Sequence, residues 1–347
     1  MSQLSIYKLI KEQKNNFDIL KLNQNKKFIS KCIPLLPEEI LYIINQSSFI
    51  TFNNSHSLIL NFYNFCVKII FFRSECNYSE KNPNSEIEIM KKLLRFIVER
   101  KTPHINISFI YSYCNNFVKY IKKINLKSYL KINREIDKNQ LEDKGLIIIS
   151  DWYEHQNLTN YLRKNILNEL EWKLILFKII FTLSVIQDCY PNFRHNDLNA
   201  NNILIKKTEN KNNNIYKYGD NIYTIPDVGY ELYINDFEYS NISNDVINKE
   251  IYSEMSNEYG IRNNQNRYYD IHYFLNSIYH LYRLPSSVNN FIKKYIPEKY
   301  LAEDNKNIIQ YRLIKDEEII LPNILLKDKL FSEFININII GDKYNFN

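Results

Sequence analysis

The apolar positions of this 347-residue chain change period several times, and each change marks an element. Between Ser48 and Phe72 three runs of β-branched and aromatic residues follow one another: Ser48–Phe52, Leu58–Tyr63 and Phe65–Phe72. The turn formers Asn53-Asn54-Ser55-His56-Ser57 separate the first two. This pattern predicts three antiparallel strands. From Glu86 the period lengthens: Ile87, Met90, Leu94 and Val98 recur at helical spacing and predict a helix over 85–98. Residues 104–113 and 145–150 read as two further strands, with the polar stretch 121–144 as an excursion of the sheet between them. Residues 169–187 are apolar nearly all round, from Trp172 to Leu183, which predicts a helix buried on every side. The Lys/Asn-rich stretch 206–222 reads as an exposed hairpin or loop. A strand is expected at 231–235, a polar loop region at 241–267, and an apolar helix opening at Tyr268-Tyr269-Asp270-Ile271. Mixed helix fills the remainder. Residues 1–47 read as a helical or irregular leader interrupted by Pro34 and Pro37.

Composition narrows the class. Hydrophobic residues make up 45% and charged residues 24%, the balance of an ordinary globular protein. The net charge of +6 is dispersed and too weak to argue for specific nucleic-acid binding. The five cysteines (Cys32, Cys66, Cys76, Cys114, Cys189) show no paired metal spacing, which suits a reducing compartment. The N-terminus lacks the apolar core of a signal peptide. The longest apolar run, 174–186, is broken by Lys178 and too short to span a bilayer. The expectation is a soluble cytoplasmic protein with no membrane span. Glycine is scarce: five in the chain, none before Gly145.

The candidate chemistry centres on residues 193–204, Phe-Arg-His-Asn-Asp-Leu-Asn-Ala-Asn-Asn-Ile-Leu. His195, Asp197 and Asn202 make the pattern His-x-Asp-x-x-x-x-Asn, and Asp236 lies downstream in Tyr-Ile-Asn-Asp-Phe-Glu. A carboxylate, an amide five residues later and a second carboxylate after an apolar run are the oxygen donors that a magnesium-phosphate site needs. Upstream, Lys68 interrupts the apolar run Cys66-Val67-Lys68-Ile69. It is either a lysine that snorkels to solvent or a buried ammonium aimed at nucleotide phosphates. The second reading needs an anionic partner. Glu86 shares the inward side of the 85–98 helix and is preferred over Glu88, which reads as a solvated charge. Residues 151–158 read as a crossing between two lobes, with the backbone at Asp151 and Tyr153 available to a nucleotide base.

Together these residues resemble the protein kinase superfamily across roughly 48–335, and are most similar to the divergent Ser/Thr protein kinases of large DNA viruses, including the poxvirus type. The resemblance is carried by Cys-Val-Lys-Ile at Lys68, Glu-Ile-Glu-Ile-Met-Lys-Lys-Leu at 86–93, His-Asn-Asp-Leu at 195–198 with Asn202-Ile-Leu, Asn-Asp-Phe-Glu at 235–238 and Tyr-Tyr-Asp-Ile-His-Tyr-Phe-Leu at 268–275. It implies an α+β, bilobal protein-kinase-like fold: an N-terminal extension over 1–47, a small β-rich N-lobe over 48–150 and a larger helical C-lobe over 151–347. It implies ATP with Mg2+, or Mn2+ in its place, as cofactors, and protein substrates as partners. If the chain is viral, it implies the host cytoplasm or the virion as its location. Lys68 would contact the α/β-phosphates and pair with Glu86; Asp197 would be the catalytic base; Asn202 and Asp236 would bind the metal; Asp270 would hold the catalytic loop. Asp197→Asn should then abolish transfer and spare ATP binding, and Lys68→Met should lose activity at near-unchanged folding.

The chain departs from the family pattern at four places, and no Ala-Pro-Glu motif follows. Asn54-Ser55-His56-Ser57 stands in the position of the glycine-rich loop, leaving Ser55 and Ser57 to offer amides and hydroxyls to phosphate. Asn196 stands where regulated kinases carry arginine, which argues against control by activation-loop phosphorylation. Glu238 replaces the glycine after Asp-Phe, and Asn199 stands where Ser/Thr kinases carry a lysine beside the transferred phosphate. Two alternatives stay open: a small-molecule kinase of the choline or aminoglycoside type, and a binding module that keeps the fold without turnover. The gap of 34 residues between Asp236 and Asp270 leaves room for a peptide-binding segment and favours a protein substrate.

Overall fold

Strand β1 (Lys31–Cys32), β2 (Ser47–Phe52), β3 (Ser57–Phe62), β4 (Phe65–Arg73), β5 (Ser108–Asn115) and β6 (Leu141–Asp151) form one sheet, in the order β1-β5-β6-β4-β3-β2. All neighbours run antiparallel except β1 and β5. The computed structural model describes residues 3–22, 29–52, 56–153, 157–208, 213–301, 312–313 and 317–335. The chain divides into two compact units, Met1–Ile87 with Asn106–Trp152, and Glu88–Ile105 with Tyr153–Asn347. The fold is α+β of the protein-kinase type, with the sheet in the first unit and most helices in the second.

Alternation builds the sheet. Leu58, Leu60 and Phe62 of β3 are buried with less regular positions between them, and a two-residue turn, Tyr63-Asn64, reverses the chain into β4. Both turn residues have positive φ, 47° and 67°, as a turn that follows the strand twist requires. Strand β4 is covered on both faces and reads as a continuous apolar run apart from Lys68. The one glycine of β6, Gly145, is dictated by sterics: a Cβ there would lie 2.4 Å from the Ile70 carbonyl oxygen of β4.

The segment set apart as an extension, 1–47, contributes to this first unit. Helix α1 (Gln3–Leu22) buries Ile6, Ile10 and Phe17, with Phe17 5.4 Å from the Phe109 ring of β5. Helix α2 (Pro37–Asn45) starts at Pro37, where the missing N–H costs nothing. Helix α3 (Ser85–Val98) follows the predicted bounds. The polar stretch 121–144 is helical for much of its length, as α4 (Val118–Ile124) and α5 (Leu126–Asp137). Asn125 ends the first and caps the second, accepting the Ser128 N–H at 2.8 Å.

In the second unit the predicted all-apolar helix is α7 (Glu169–Cys189), preceded by α6 (Leu158–Lys164). Asn168 and Glu171 form a reciprocal capping box at its start. Lys178, the charge inside its apolar run, is fully buried and donates to Glu231 at 2.9 Å and to the Tyr230 carbonyl at 3.3 Å. That pairing is what lets a charge sit inside the helix. The segment 206–222 holds a hairpin, one of the two forms expected of it, but not a wholly exposed one. Short strands follow one another here: β7 (Phe193–Arg194), β8 (Ile203–Lys207), β9 (Asn214–Tyr218), β10 (Asn221–Ile225) and β11 (Tyr230–Ile234). The β9–β10 hairpin turns at Gly219, φ +57°, and buries Tyr216 and Tyr223 completely against Phe177 of α7. It is a hairpin whose inner face belongs to the core, because two aromatics outweigh its Lys/Asn-rich surround.

The region 241–267 contains a short strand β12 (Asn241–Ile242), paired with β7, and helix α8 (Ser253–Tyr259), which ends on Gly260 with φ +65°. Helix α9 (Tyr269–Leu281) is buried along its first ten residues. Helices α10 (Ser286–Tyr295) and α11 (Pro322–Leu325) complete the unit, with Phe331 and Phe334 packed on Phe177. Among the described residues no helix is long and apolar enough to cross a membrane.

Candidate active site

The loop 195–202 is held from three sides. Strand β7 brings the chain in, pairing with β12, and Arg194 is fully buried, donating to the Gly260 carbonyl at 2.7 Å with its guanidinium 4.2 Å from the Tyr269 ring. From below, the Asp270 carboxylate accepts the backbone N–H groups of His195 at 2.7 Å and Asn196 at 2.9 Å. Burial pushes the Asp270 carboxyl above its ordinary range, against the pull of His195, Arg194 and these two amides. From the far side, strand β8 starts directly after Asn202 and pairs with β11, so the residues after Ile234 lie beside the loop's end. The Asn235 N–H donates to the Asn202 carbonyl at 2.9 Å.

His195 ties the two stretches. Its Nε2–H donates to the Asn235 carbonyl at 3.0 Å, and its Nδ1 accepts the Asp197 N–H at 3.3 Å, which sets the tautomer. Its ring packs 5.2 Å from that of Phe237, itself fully buried. The chain turns sharply at Asp236, where φ is +63°. A non-glycine residue in that region is uncommon and costs on the order of 1 kcal/mol, so the surrounding hydrogen bonds hold it there.

Asp197 and Asn202 are brought together directly. The Asn202 amide nitrogen donates to the Asp197 carboxylate and to the Asp197 carbonyl, both at 2.8 Å. The amide nitrogen is thereby spent, leaving the Asn202 side-chain oxygen to face elsewhere. Asn199 caps the short 3₁₀ turn 200–202 by accepting the Asn201 N–H at 2.9 Å, and its amide reaches the Asp197 carboxylate at 3.2 Å.

In the first unit, Lys68 on β4 donates to both oxygens of Glu86 on α3, at 3.0 and 2.9 Å, with Glu86 almost fully buried. Glu86 is itself placed by Asn84, which accepts the Glu86 N–H at 2.9 Å. Glu88 instead pairs with Lys91 at 2.7 Å and is 30% exposed. Ser57 opens β3 opposite Ile70 and is fully buried, its hydroxyl without a hydrogen-bond partner among the described residues. Ser55 lies outside the described residues. Asp151 ends β6; its carboxylate accepts from Lys14 of α1 at 3.2 Å and from the Trp152 N–H at 3.2 Å. Tyr153 belongs to the second unit, its ring 4.9 Å from that of Tyr233.

Sequence reading gave Asn196 no structural role and missed Arg312 altogether. Asn196, fully buried with φ +65°, donates its amide to the Tyr239 carbonyl at 2.9 Å, to the Asn241 side chain at 3.2 Å and to the Arg262 carbonyl at 3.1 Å. Arg312 donates to the Asp197 carboxylate and the Asn196 carbonyl in short contacts, and to the Tyr269 hydroxyl at 3.1 Å. No local pattern marks it, because it lies 115 residues from Asp197.

Among the described residues no group of three or more His, Cys, Asp or Glu side chains is arranged to hold a metal ion. The residues that the resemblance assigns to a metal offer one carboxylate, Asp236, and one amide oxygen, Asn202. That suits magnesium, a hard cation that takes one or two protein oxygens and draws the rest from phosphate and water.

A sheet-bound lysine paired with a helical glutamate, and a loop that couples an aspartate to an asparagine beside a second aspartate, define the protein-kinase class. Residues 156–336 match the model of the poxvirus serine/threonine protein kinases, and the chain belongs to that family. Two proteins of Acanthamoeba polyphaga mimivirus, provisionally named serine/threonine-protein kinases, are each 30% identical to it. One aligns over 74% of this chain and 60% of its own length, the other over 62% and 64%. Serine/threonine-protein kinase 2 of swinepox virus (strain Kasza) is 24% identical over 80% of this chain and 58% of its own. The chain thus spans about three fifths of the length of the curated relatives it matches.

Proposed function

We propose that the chain is a phosphotransferase that moves the γ-phosphate of ATP, with magnesium, to serine or threonine hydroxyls of protein substrates. The observation that carries this reading is the Asn202–Asp197 bond at 2.8 Å, which fixes a carboxylate and an amide oxygen in one loop beside Asp236. Asp197 orients the substrate hydroxyl and accepts its proton. Asn202 and Asp236 hold the metal, which when bound would neutralise phosphate charge. Lys68, fixed by Glu86, balances charge on the α/β-phosphates; its side chain is only 12% exposed and is already held by the ion pair. The backbone at Asp151 and Tyr153 receives the base, and Ser57 with Ser55 stands in for the glycine-rich loop.

Protein substrates are favoured over small alcohols because every relative named above carries a protein-kinase name, and because the 33 residues between Asp236 and Asp270 supply a segment against which a peptide can lie. The segment's order supports this: Asn248 donates to the carbonyls of Glu238 at 2.7 Å and Ser240 at 2.9 Å, and exchanges hydrogen bonds with Asn263. The test is transfer of label from ATP, with magnesium or manganese, to generic basic and acidic proteins in one set of reactions and to choline, ethanolamine and aminoglycosides in another. Label on protein is expected. Label confined to small molecules would replace the substrate class; ATP-dependent thermal stabilisation without transfer would make the chain a binding module.

A further inference from the structure

Asp197 has a neighbour that the chemistry proposed above does not use. The Arg312 guanidinium is nearly buried, with 8% of its side chain exposed, and spends its two terminal nitrogens on one cluster. One nitrogen donates to the Asp197 carboxylate; the other donates to the Asn196 carbonyl and the Tyr269 hydroxyl. Its plane lies 4.2 Å from the Tyr273 ring. Tyr269 is itself fixed, donating its hydroxyl to the Tyr259 carbonyl at 2.8 Å. Burial opposes the charge on Arg312, yet Tyr269, Asp197 and Tyr273 hold the guanidinium more firmly protonated than usual. A planar fork that grips a carboxylate, a backbone carbonyl and a hydroxyl at once is beyond the geometry of lysine.

The loop around Asp197 carries no cation of its own. From His195 to Asn202 the sequence is His-Asn-Asp-Leu-Asn-Ala-Asn-Asn, and Asn199 presents a neutral amide 3.2 Å from the same Asp197 oxygen that Arg312 contacts. Phosphoryl transfer gathers negative charge next to the carboxylate that orients the hydroxyl, so a cation held against that carboxylate, beyond Lys68 and the metal, favours transfer.

We propose that Arg312 is the positioning residue of this loop: it locks the Asp197 carboxylate in place and supplies, from a distant part of the chain, the positive charge that position 199 lacks. The inference rests on the kinase reading and deepens it. A purely structural role is the competing account, since a buried arginine on two loops also stabilises the fold.

The two accounts separate in a steady-state assay of the full chain with labelled ATP and a protein substrate, run beside a thermal melt. Arg312→Gln should lower kcat by about 10²–10³-fold while the KM for ATP stays within about threefold, as loss of an interaction needed at the transferring phosphate requires. Adding Asn199→Lys, whose ammonium can reach the same Asp197 oxygen, should return at least about tenfold of that loss. A kcat for Arg312→Gln within about threefold of wild type would overturn the assignment. So would a loss that tracks a falling melting temperature and does not respond to Asn199→Lys. If Arg312→Gln does not fold, Arg312→Lys is the variant to read: about tenfold lower kcat in a folded protein is expected, and wild-type kcat would overturn the assignment. A wild-type chain that transfers nothing would remove the kinase reading and this inference with it. An active wild type beside an equally active Arg312→Gln would remove this inference alone.

Discussion

The Asp270 carboxylate accepts the backbone N–H of His195 at 2.7 Å, anchoring helix α9 to the loop that carries Asp197. A second amide, that of Asn196, reaches the other carboxylate oxygen at 2.9 Å. Fully buried amides have no water to turn to, so an alanine at 270 leaves two donors unsatisfied, at about 1–3 kcal/mol each. Part of that loss is offset because a buried carboxylate is no longer desolvated. Asp270→Ala is therefore expected to cost on the order of 3 kcal/mol in urea unfolding and to lower transfer far more than it lowers ATP affinity. Unchanged kcat in a destabilised protein would separate the loop's anchoring from its chemistry.

Lys68 and Glu86 make a second testable pair. From sequence, Lys68→Met should lose activity and leave folding near unchanged. The structure revises that expectation, because Glu86 is only 2% exposed and would be left as a buried charge without its cation. Removing one partner of such a pair costs about 3–5 kcal/mol, whereas removing both is close to neutral. Lys68→Met is expected to melt earlier, and Lys68→Met with Glu86→Gln to recover most of the stability but none of the transfer. Equal melting temperatures for the single and double variants would contradict this.

Acid sensitivity follows from His272 on α9. It is buried, its Nε2–H donates to the Tyr300 carbonyl at 3.0 Å, and burial lowers its pKa to about 4. The unfolded chain binds a proton at this histidine near pH 6.5, the folded chain only near pH 4. Between these values the unfolded state holds more protons, so stability is full above about pH 6.5 and falls as the pH drops toward 4. The full contribution is on the order of 3 kcal/mol. His272→Gln should flatten this limb of the stability–pH profile; an unchanged slope would place the acid sensitivity elsewhere, for example at the equally buried His104, whose pKa burial also depresses.

What could be read from sequence depended on how local the signal was. The strands at 48–73 and the helix at 85–98 announce themselves by period, and the structure has them within a residue or two. Lys68 was visible because a charge interrupts an apolar run, and Glu86 because it sits four residues before Met90 on the inward side of its helix. The helices within 121–144 were hidden by their polarity, although Asn125 before Leu126 was a readable cap. The burial of the hairpin 214–225, which reads as exposed, was masked by lysines and asparagines, although Tyr216 and Tyr223 carry it. Lys14, which pairs with Asp151 across 137 residues, and Arg312 had no local signature, since long-range ion pairs leave no trace in period or spacing.

Asn196 shows how a departure from family pattern becomes legible only in three dimensions. Its position reads as a missing arginine in the sequence. In the structure its amide links three parts of the segment 239–262. Asparagine side chains and backbone groups supply further hydrogen bonds within that segment.

The most direct test of the account is transfer of label from ATP to protein by the full chain beside Asp197→Asn, with ATP binding measured in both. The variant keeps the size of the side chain and one of the two oxygens that accept from Asn202 and Asn199, and removes the carboxylate. The account predicts label on protein with the wild-type chain, loss of about 10³-fold or more in Asp197→Asn, and ATP affinity within about threefold in both. Transfer by Asp197→Asn at the wild-type rate would contradict it.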